Sequence, residues 1–95
     1  MRQFYVYILF NRRNGALYVG VTSNLVKRIY EHKHPLEDSF AKRYRIDKLG
    51  YDETHSTIYE AITREKQLKA GSREKKIALI ENANPYWKDL YHEIV

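Results

Sequence analysis

Five side chains in this sequence have the types and spacing that phosphate chemistry needs: Tyr7, Tyr18, Arg28, His32 and Glu65. Arg28 and His32 lie one helical turn apart and so share a face. A guanidinium there can fork onto two phosphate oxygens, and an imidazole beside it can hold or share a proton. Tyr7 and Tyr18 supply phenols. A phenol titrates near ~10, so it acts as a base only where cations favour the phenolate or where proton transfer is concerted. Glu65 falls inside an apolar helical stripe, seven residues after Ile58, four after Ala61 and three before Leu68. A carboxylate in that stripe must snorkel, be protonated or meet a cation, because desolvating it unpaired is expensive. On spacing alone each group also has a plain structural reading. The tyrosines are two among nine and pair as cross-strand aromatics, His32 is a structural histidine, and Glu65 partners an arginine from elsewhere.

The elements that must position these groups follow from periodicity and turn chemistry. Residues 4–10, Phe-Tyr-Val-Tyr-Ile-Leu-Phe, run without polar interruption and predict a central strand covered on both faces. Asn11-Arg12-Arg13-Asn14-Gly15 provides a turn, with Asn14-Gly15 suited to positive φ. A second strand over 16–21 therefore pairs with the first as an antiparallel hairpin and brings Tyr7 and Tyr18 onto adjacent strands. Gly20 marks a place where something approaches the backbone closely. Thr22, Ser23 and Asn24 are all N-cap types. The helix after them buries Leu25, Ile29 and the stem of Lys33, and it stops at His34 because Pro35 follows.

Residues 35–45 read as a loop with one helical turn, and 46–53 as a third strand at the sheet edge, where Gly50 marks a bulge. Thr57 and Glu60 form a capping box for a helix over 58–70, ended by Gly71 as C′, with Ile58, Ala61, Ile62 and Leu68 inward. Ser72 caps a last helix over 73–82, with Ile77, Ala78 and Ile80 inward and Arg73, Lys75 and Lys76 wet. Pro85 stops it, and Trp87 and Leu90 seal the core. The fold class is α/β in the α+β sense: one domain over 1–95, a small mixed three-stranded sheet flanked by helices.

Composition narrows the partners. Without Cys there is neither a disulfide framework nor a thiolate metal site. No apolar run reaches the roughly 18 residues of a membrane span, and the N-terminus enters strand-like sequence directly, so a soluble cytoplasmic protein is expected. The net charge of +5 is uneven. Arg64, Lys66, Lys69, Arg73, Lys75 and Lys76 crowd one segment, which suits a polyanion or else forms solvated helix faces.

Val6-Tyr7, then Tyr18-Val19-Gly20, Asn24-Leu25, Arg28 and His32 resemble the opening of a GIY-YIG nuclease domain, in particular its short stand-alone members. These share a fold with the N-terminal nuclease domain of the bacterial excinuclease C subunit. Tyr5-Val6-Tyr7 stands in place of Gly-Ile-Tyr, and Val21 stands where some relatives carry Lys. The segment from Ala61 to Lys69 resembles the one that carries the family's acidic metal ligand. Asn84-Pro85-Tyr86-Trp87-Lys88-Asp89-Leu90 resembles the pattern that closes the short members.

The resemblance implies an endonuclease that hydrolyses DNA phosphodiester bonds with one divalent metal, in repair or recombination. Glu65 would hold Mg²⁺ or Mn²⁺, and Arg28 would engage the scissile phosphate. Tyr18 is the first choice as general base or water positioner, with Tyr7 beside it, and His32 shares a proton or contacts phosphate. Asn84, with Asn82 as competitor, matches the family's late asparagine. Lys27, Lys33, Lys42, Arg43, Lys66 and Lys69 would hold the nucleic acid. DNA is the implied partner, with a specificity-giving protein beside a monomer or weak dimer. Two other readings stand next to this one: a nucleic-acid-binding module on the same scaffold with weak or no activity, and an interaction domain whose basic face binds an acidic protein or RNA.

Overall fold

The computed structural model describes residues 2–95. Three strands, β1 (Phe4–Phe10), β2 (Leu17–Thr22) and β3 (Lys48–His55), form one sheet in the order β2-β1-β3. The helices are α1 (Leu25–Lys33), α2 (Phe40–Arg43), α3 (Ile58–Ala70), α4 (Arg73–Ala83) and α5 (Tyr91–Ile94). The uninterrupted apolar run of β1 is indeed the central strand. Its turn into β2 uses the expected chemistry, since Asn14 takes φ of 59° and Asn11 accepts the Ala16 N–H through its side-chain oxygen at 2.9 Å.

The sheet is antiparallel in both of its pairings among the described residues, where the sequence suggested a mixed one. β2 and β3 do run in the same direction, but β1 lies between them, so they never share a ladder. Gly50 is the predicted bulge: Ile8 faces Tyr51 while Leu9 faces Leu49, which leaves the glycine as the extra residue. β3 starts and ends two residues later than its sequence pattern indicated, because the ladder with β1 sets its limits.

Alternation along β1 divides the core. Val6, Ile8 and Phe10, with Val19 of β2, face Ala61 and Leu68 of α3, Ile80 of α4 and Trp87. Tyr7 and Leu9 face the other way, toward Leu25 and Ile29 of α1 and toward Ile46 and Leu49. The catalytic candidates of α1 and of α3 therefore belong to opposite faces of one sheet. α3 is capped by Thr57, whose hydroxyl accepts the Glu60 N–H at 3.2 Å, but the Glu60 carboxylate meets Ser56 and does not return to complete the box. Gly71 ends the helix in extended backbone, at φ of −74°, and not as a left-handed C′. The inward stripes are narrower than expected. Ile62 is exposed and so is Ala78, while Leu79 is half-buried in its place.

The segment after α4 closes both faces. Trp87 packs edge-on to Phe10 at 5.3 Å on one side, while Leu90 packs with the cluster around Leu49 on the other. Asp89 fastens this segment: one carboxylate oxygen is paired with Lys33, and the other accepts the Leu49 and Tyr91 N–H groups at 3.0 and 3.1 Å. Burial alone would raise the Asp89 carboxyl, but Lys33 and the two N–H groups outweigh it and hold the group below its ordinary range. Glu53 is depressed in the same way, with burial opposed by Tyr51, His55 and Arg64. Both carboxyls are more acidic folded than unfolded. The stability they add is complete above the unfolded values near ~4 and is lost as pH falls through the lower folded values. The part of the urea midpoint that these two carboxyls supply should therefore stay level from neutral pH to about 5 and drop below about 4, beneath the separate loss from His32, which is lowered in the fold and must charge as pH falls past its ordinary value. Asp89→Asn should flatten part of that acid limb; an acid limb identical to the wild type would contradict this account.

Candidate active site

Register places Tyr7 of β1 opposite Gly20 of β2, with both residues directed to the α1 face. The phenol lies where a side chain at residue 20 would stand: a Cβ there would come within 2.3 Å of Tyr7 Oη and 2.4 Å of its Cζ. Gly20 is thus required for space, since its φ is not positive. By crossing it, a ring rooted on the central strand delivers its hydroxyl to the edge strand. There Tyr7 Oη meets His32 Nε2 at 3.2 Å. Tyr18, two residues before Gly20 and hence on the same face, puts its ring centroid 6.5 Å from that of Tyr7 and 5.2 Å from that of His32. Arg28, one turn before His32, lies against the Tyr7 phenol and also bonds Glu31 at 3.3 Å.

These contacts set the charges. Burial pushes the Tyr7 phenol up to about 12, against the pull of Arg28 and with added repulsion from Tyr18 and Glu65. Tyr7 is therefore a neutral hydrogen-bond donor near pH 7. Burial, reinforced by Arg28, lowers His32, so its imidazole is neutral there as well. The Tyr7 oxygen also faces the Arg28 guanidinium, and the imidazole tautomer sets which of Tyr7 and His32 supplies the proton between them. Contact with the phenol raises Arg28 above its ordinary value, so it remains a fixed cation.

Glu65 comes from α3, on the opposite face. Its side chain is 17% exposed, and it pairs with Lys69 one turn on at 3.5 Å. The carboxylate is close enough to the Tyr7 phenol to oppose its ionisation. Tyr7, Tyr18, Arg28 and His32 thus gather beside β2 on the α1 face, while Glu65 acts on the Tyr7 phenol from the α3 side as the smallest of the influences on it. Among the described residues no cluster of three or more His, Asp or Glu is arranged to hold a metal ion. A lone carboxylate whose partner is a half-exposed, displaceable ammonium suits a hard cation that keeps several waters, such as Mg²⁺ or Mn²⁺, and does not suit zinc.

The model of the GIY-YIG catalytic domain matches residues 3–78. The chain belongs to the GIY-YIG family. A UPF0213 protein of Staphylococcus saprophyticus is 36% identical over 80 residues, covering 84% of this chain and 96% of that protein. A UPF0213 protein of Staphylococcus haemolyticus is 37% identical over 81 residues, covering 85% and 98%. The chain is also similar to the solution structure of a UPF0213 protein from Bacillus halodurans, with a TM-score of 0.56, 25% identity and 92% of each chain covered. Both tyrosines that meet His32 lie within the matched span, in Tyr5-Val6-Tyr7 and Tyr18-Val19-Gly20.

Other sequence candidates are employed elsewhere in this GIY-YIG domain. Asn84 is buried, and its side-chain amide is consumed by the Lys88 and Gly50 carbonyls and the Lys88 N–H, so it fastens the C-terminal segment. Asn82 lines a separate cleft between α3 and α4. Lys33 is held by Asp89, Arg43 by Asp38 at 3.1 Å, and Lys69 by Glu65. Much of the basic run of α3 and α4 is likewise engaged: Arg64 bonds Glu53 at 3.1 Å, Arg73 the Gly15 carbonyl, and Lys76 the Gly71 carbonyl at 2.8 Å. Lys27, Lys42 and Lys66 are exposed.

The sequence reading missed a groove of about 800 Å³ that opens beside the motif tyrosines, lined by Tyr18, Arg28, His32 and the 34–42 segment. Two aromatic pairs flank it, Tyr30 with His34 at 4.3 Å and Phe40 with Tyr44 at 4.5 Å. Their signal was present as aromatic residues four apart. The packing of Tyr7 on Gly20 is open to a direct check. Gly20→Ala should displace the phenol and lower stability by about 1–3 kcal/mol in urea unfolding. Combining it with Tyr7→Ala should recover part of the loss, and strict additivity of the two would contradict the contact.

Proposed function

We propose that the chain is a divalent-metal-dependent endonuclease that hydrolyses DNA phosphodiester bonds. The observation that carries this reading is the gathering of a fixed guanidinium, two phenols and a neutral imidazole beside β2, with the largely buried Glu65 carboxylate opposing ionisation of the same phenol from the α3 side. Arg28 forks onto the non-bridging oxygens of the scissile phosphate and neutralises charge as it grows in the transition state. Tyr18 is the better exposed of the two phenols and lines the groove, so it orients the attacking water and accepts its proton. Tyr7, kept neutral, donates to His32 and holds the phenol pair and Arg28 in register. Glu65 would hold the metal ion, which when bound polarises the phosphate and makes water a better nucleophile at neutral pH. As the water oxygen joins phosphorus, one ester P–O bond breaks and the departing oxygen takes a proton.

The flanking aromatics say where the bases go. Tyr30 is 53% exposed and Phe40 64%, on the rims of the groove into which Arg28 and Tyr18 look. With Arg43 engaged, the grip on the backbone comes from few cations, so stacking of unpaired bases on these rings carries much of the affinity. The substrate in this reading is a strand with unstacked bases next to the scissile phosphate. DNA repair or recombination in the cytoplasm is the setting this reading carries with it.

A second reading has its own support. Lys69 already sits on the Glu65 carboxylate, Val21 replaces a lysine of some relatives, and the first motif lacks its glycine. These features suit a nucleic-acid-binding module without turnover.

Purified protein with Mg²⁺ or Mn²⁺ on plasmid, flap and single-stranded DNA separates the two. Metal-dependent nicking that Glu65→Ala abolishes, with binding retained, is the expected result, and Arg28→Ala should lower turnover by about 10²–10³-fold. Binding without cleavage in every case would favour the module. Tyr30→Ala and Phe40→Ala should each weaken single-strand binding by about 1–3 kcal/mol and duplex binding far less. Equal losses on both forms would remove the stacking role.

A further inference from the structure

Lys33 follows His32 at the C-terminal end of α1, and its ammonium is not presented to a ligand. It is paired with Asp89, both side chains being less than one-fifth exposed, and it lies 5.1 Å from the centroid of the Tyr91 ring. Asp89 is bound on both oxygens, one to Lys33 and the other to the Leu49 and Tyr91 N–H groups. Leu49 is a fully buried residue of β3, and its carbonyl accepts the Leu90 N–H at 2.8 Å. One carboxylate thus ties the last turn of α1 to the backbone of the sheet.

The rest of α1 anchors that turn poorly. Its buried residues are Leu25 at its first position and Ile29 at its middle, neither of them in the last turn. Beyond Lys33 the chain leaves at His34 and Pro35 into the exposed stretch around Leu36. His32 sits in this turn, and its 3.2 Å contact with Tyr7 is already at the long end of hydrogen bonding, so a sub-ångström displacement would forfeit it.

We propose that Asp89 is a positioning residue: through Lys33 it holds α1 at the depth where His32 Nε2 meets the Tyr7 hydroxyl and Arg28 faces the basin. This gives the closing segment, which lies outside the 3–78 match to the catalytic domain, a role in the site. The positioning concerns geometry that exists whatever the basin does; only its kinetic consequence rests on the hydrolase reading.

Two variants of the 95-residue chain test it. Asp89→Asn keeps the shape and the oxygen that accepts both N–H groups but removes the charge facing Lys33. Lys33→Met keeps the stem, removes the ammonium and leaves the backbone bonds of Asp89 intact. In ¹⁵N imidazole spectra, His32 Nε2 should shift in both variants toward its position in Tyr7→Phe, which reports loss of the bond. In Mg²⁺-dependent cleavage of single-stranded DNA, kcat should fall by roughly 10- to 100-fold with KM within about twofold, and the double variant should be no worse than either single one. Unchanged His32 resonances in both variants overturn the proposal, as does a lowered melting temperature with kcat intact. If the wild type does not cleave, the hydrolase reading fails and the imidazole spectra alone decide the positioning. If Asp89→Asn does not fold, Lys33→Met decides.

Discussion

The phenol of Tyr7 occupies the volume that any side chain at residue 20 would need, and the assembly of the site depends on that exchange. Layers packed on opposite faces of a sheet are separated by the sheet and its side chains, so groups they carry can meet only around an edge. β2 is such an edge, and at Gly20 it offers backbone with nothing standing on it. A ring anchored on the central strand fills the gap and carries a hydroxyl outward. Arg28 and His32 then reach it from α1, and Glu65 bears on it from α3. A residue with a β-carbon at position 20 would collide with the Tyr7 ring and push its hydroxyl away from His32 and Arg28.

Burial and mutual contact reinforce the charge states that these residue types already favour near neutral pH. Tyr7, almost fully enclosed, is held neutral, and so is the half-buried His32. The Arg28 charge is reinforced by the phenol it touches. The site therefore contains one permanent cation, the neutral Tyr7 phenol and His32 imidazole, the Tyr18 phenol beside them and one carboxylate, an inventory suited to an anionic ester attacked by water. The basic run along α3 and α4, which looked like the nucleic-acid face, is in good part consumed by Glu53, Glu65 and backbone carbonyls. In the proposed nuclease the aromatic pairs on the groove rims would compensate, because stacking needs no formal charge.

What the sequence disclosed tracks how local the determinant was. Ser72 and Thr57 cap helices through their own side chains where the sequence placed them, and Asn24 is the one of the three candidates Thr22, Ser23 and Asn24 that caps α1. Gly50 announced its bulge because an extra residue in a strand is a local event. The sense of the third strand and its limits were not legible, since both depend on pairing with a strand forty residues earlier. Lys33 read as a phosphate contact because its partner is Asp89, far along the chain, and Asn84 read as catalytic because its buried amide bonds could not be foreseen. Ile62 fits a helical stripe in the sequence, yet α3 turns it outward while Glu65 stays largely covered. Tyr7, Tyr18, Arg28 and His32 were legible as a group because a hairpin and the helix after it fix their relation almost without help from the rest of the chain.

The proposed hydrolysis needs a single basin in which α3 and α1 act together although the sheet separates them. Paramagnetic broadening of the ¹H–¹⁵N spectrum by substoichiometric Mn²⁺ locates such a basin without any assumption about turnover. It should centre on Glu65, spread across Gly20 and Tyr18 to His32 and Arg28, and disappear in Glu65→Gln. Broadening centred on Glu37 and Asp38 or on Glu53, or broadening that survives in Glu65→Gln, would show that the two faces do not share a cation site.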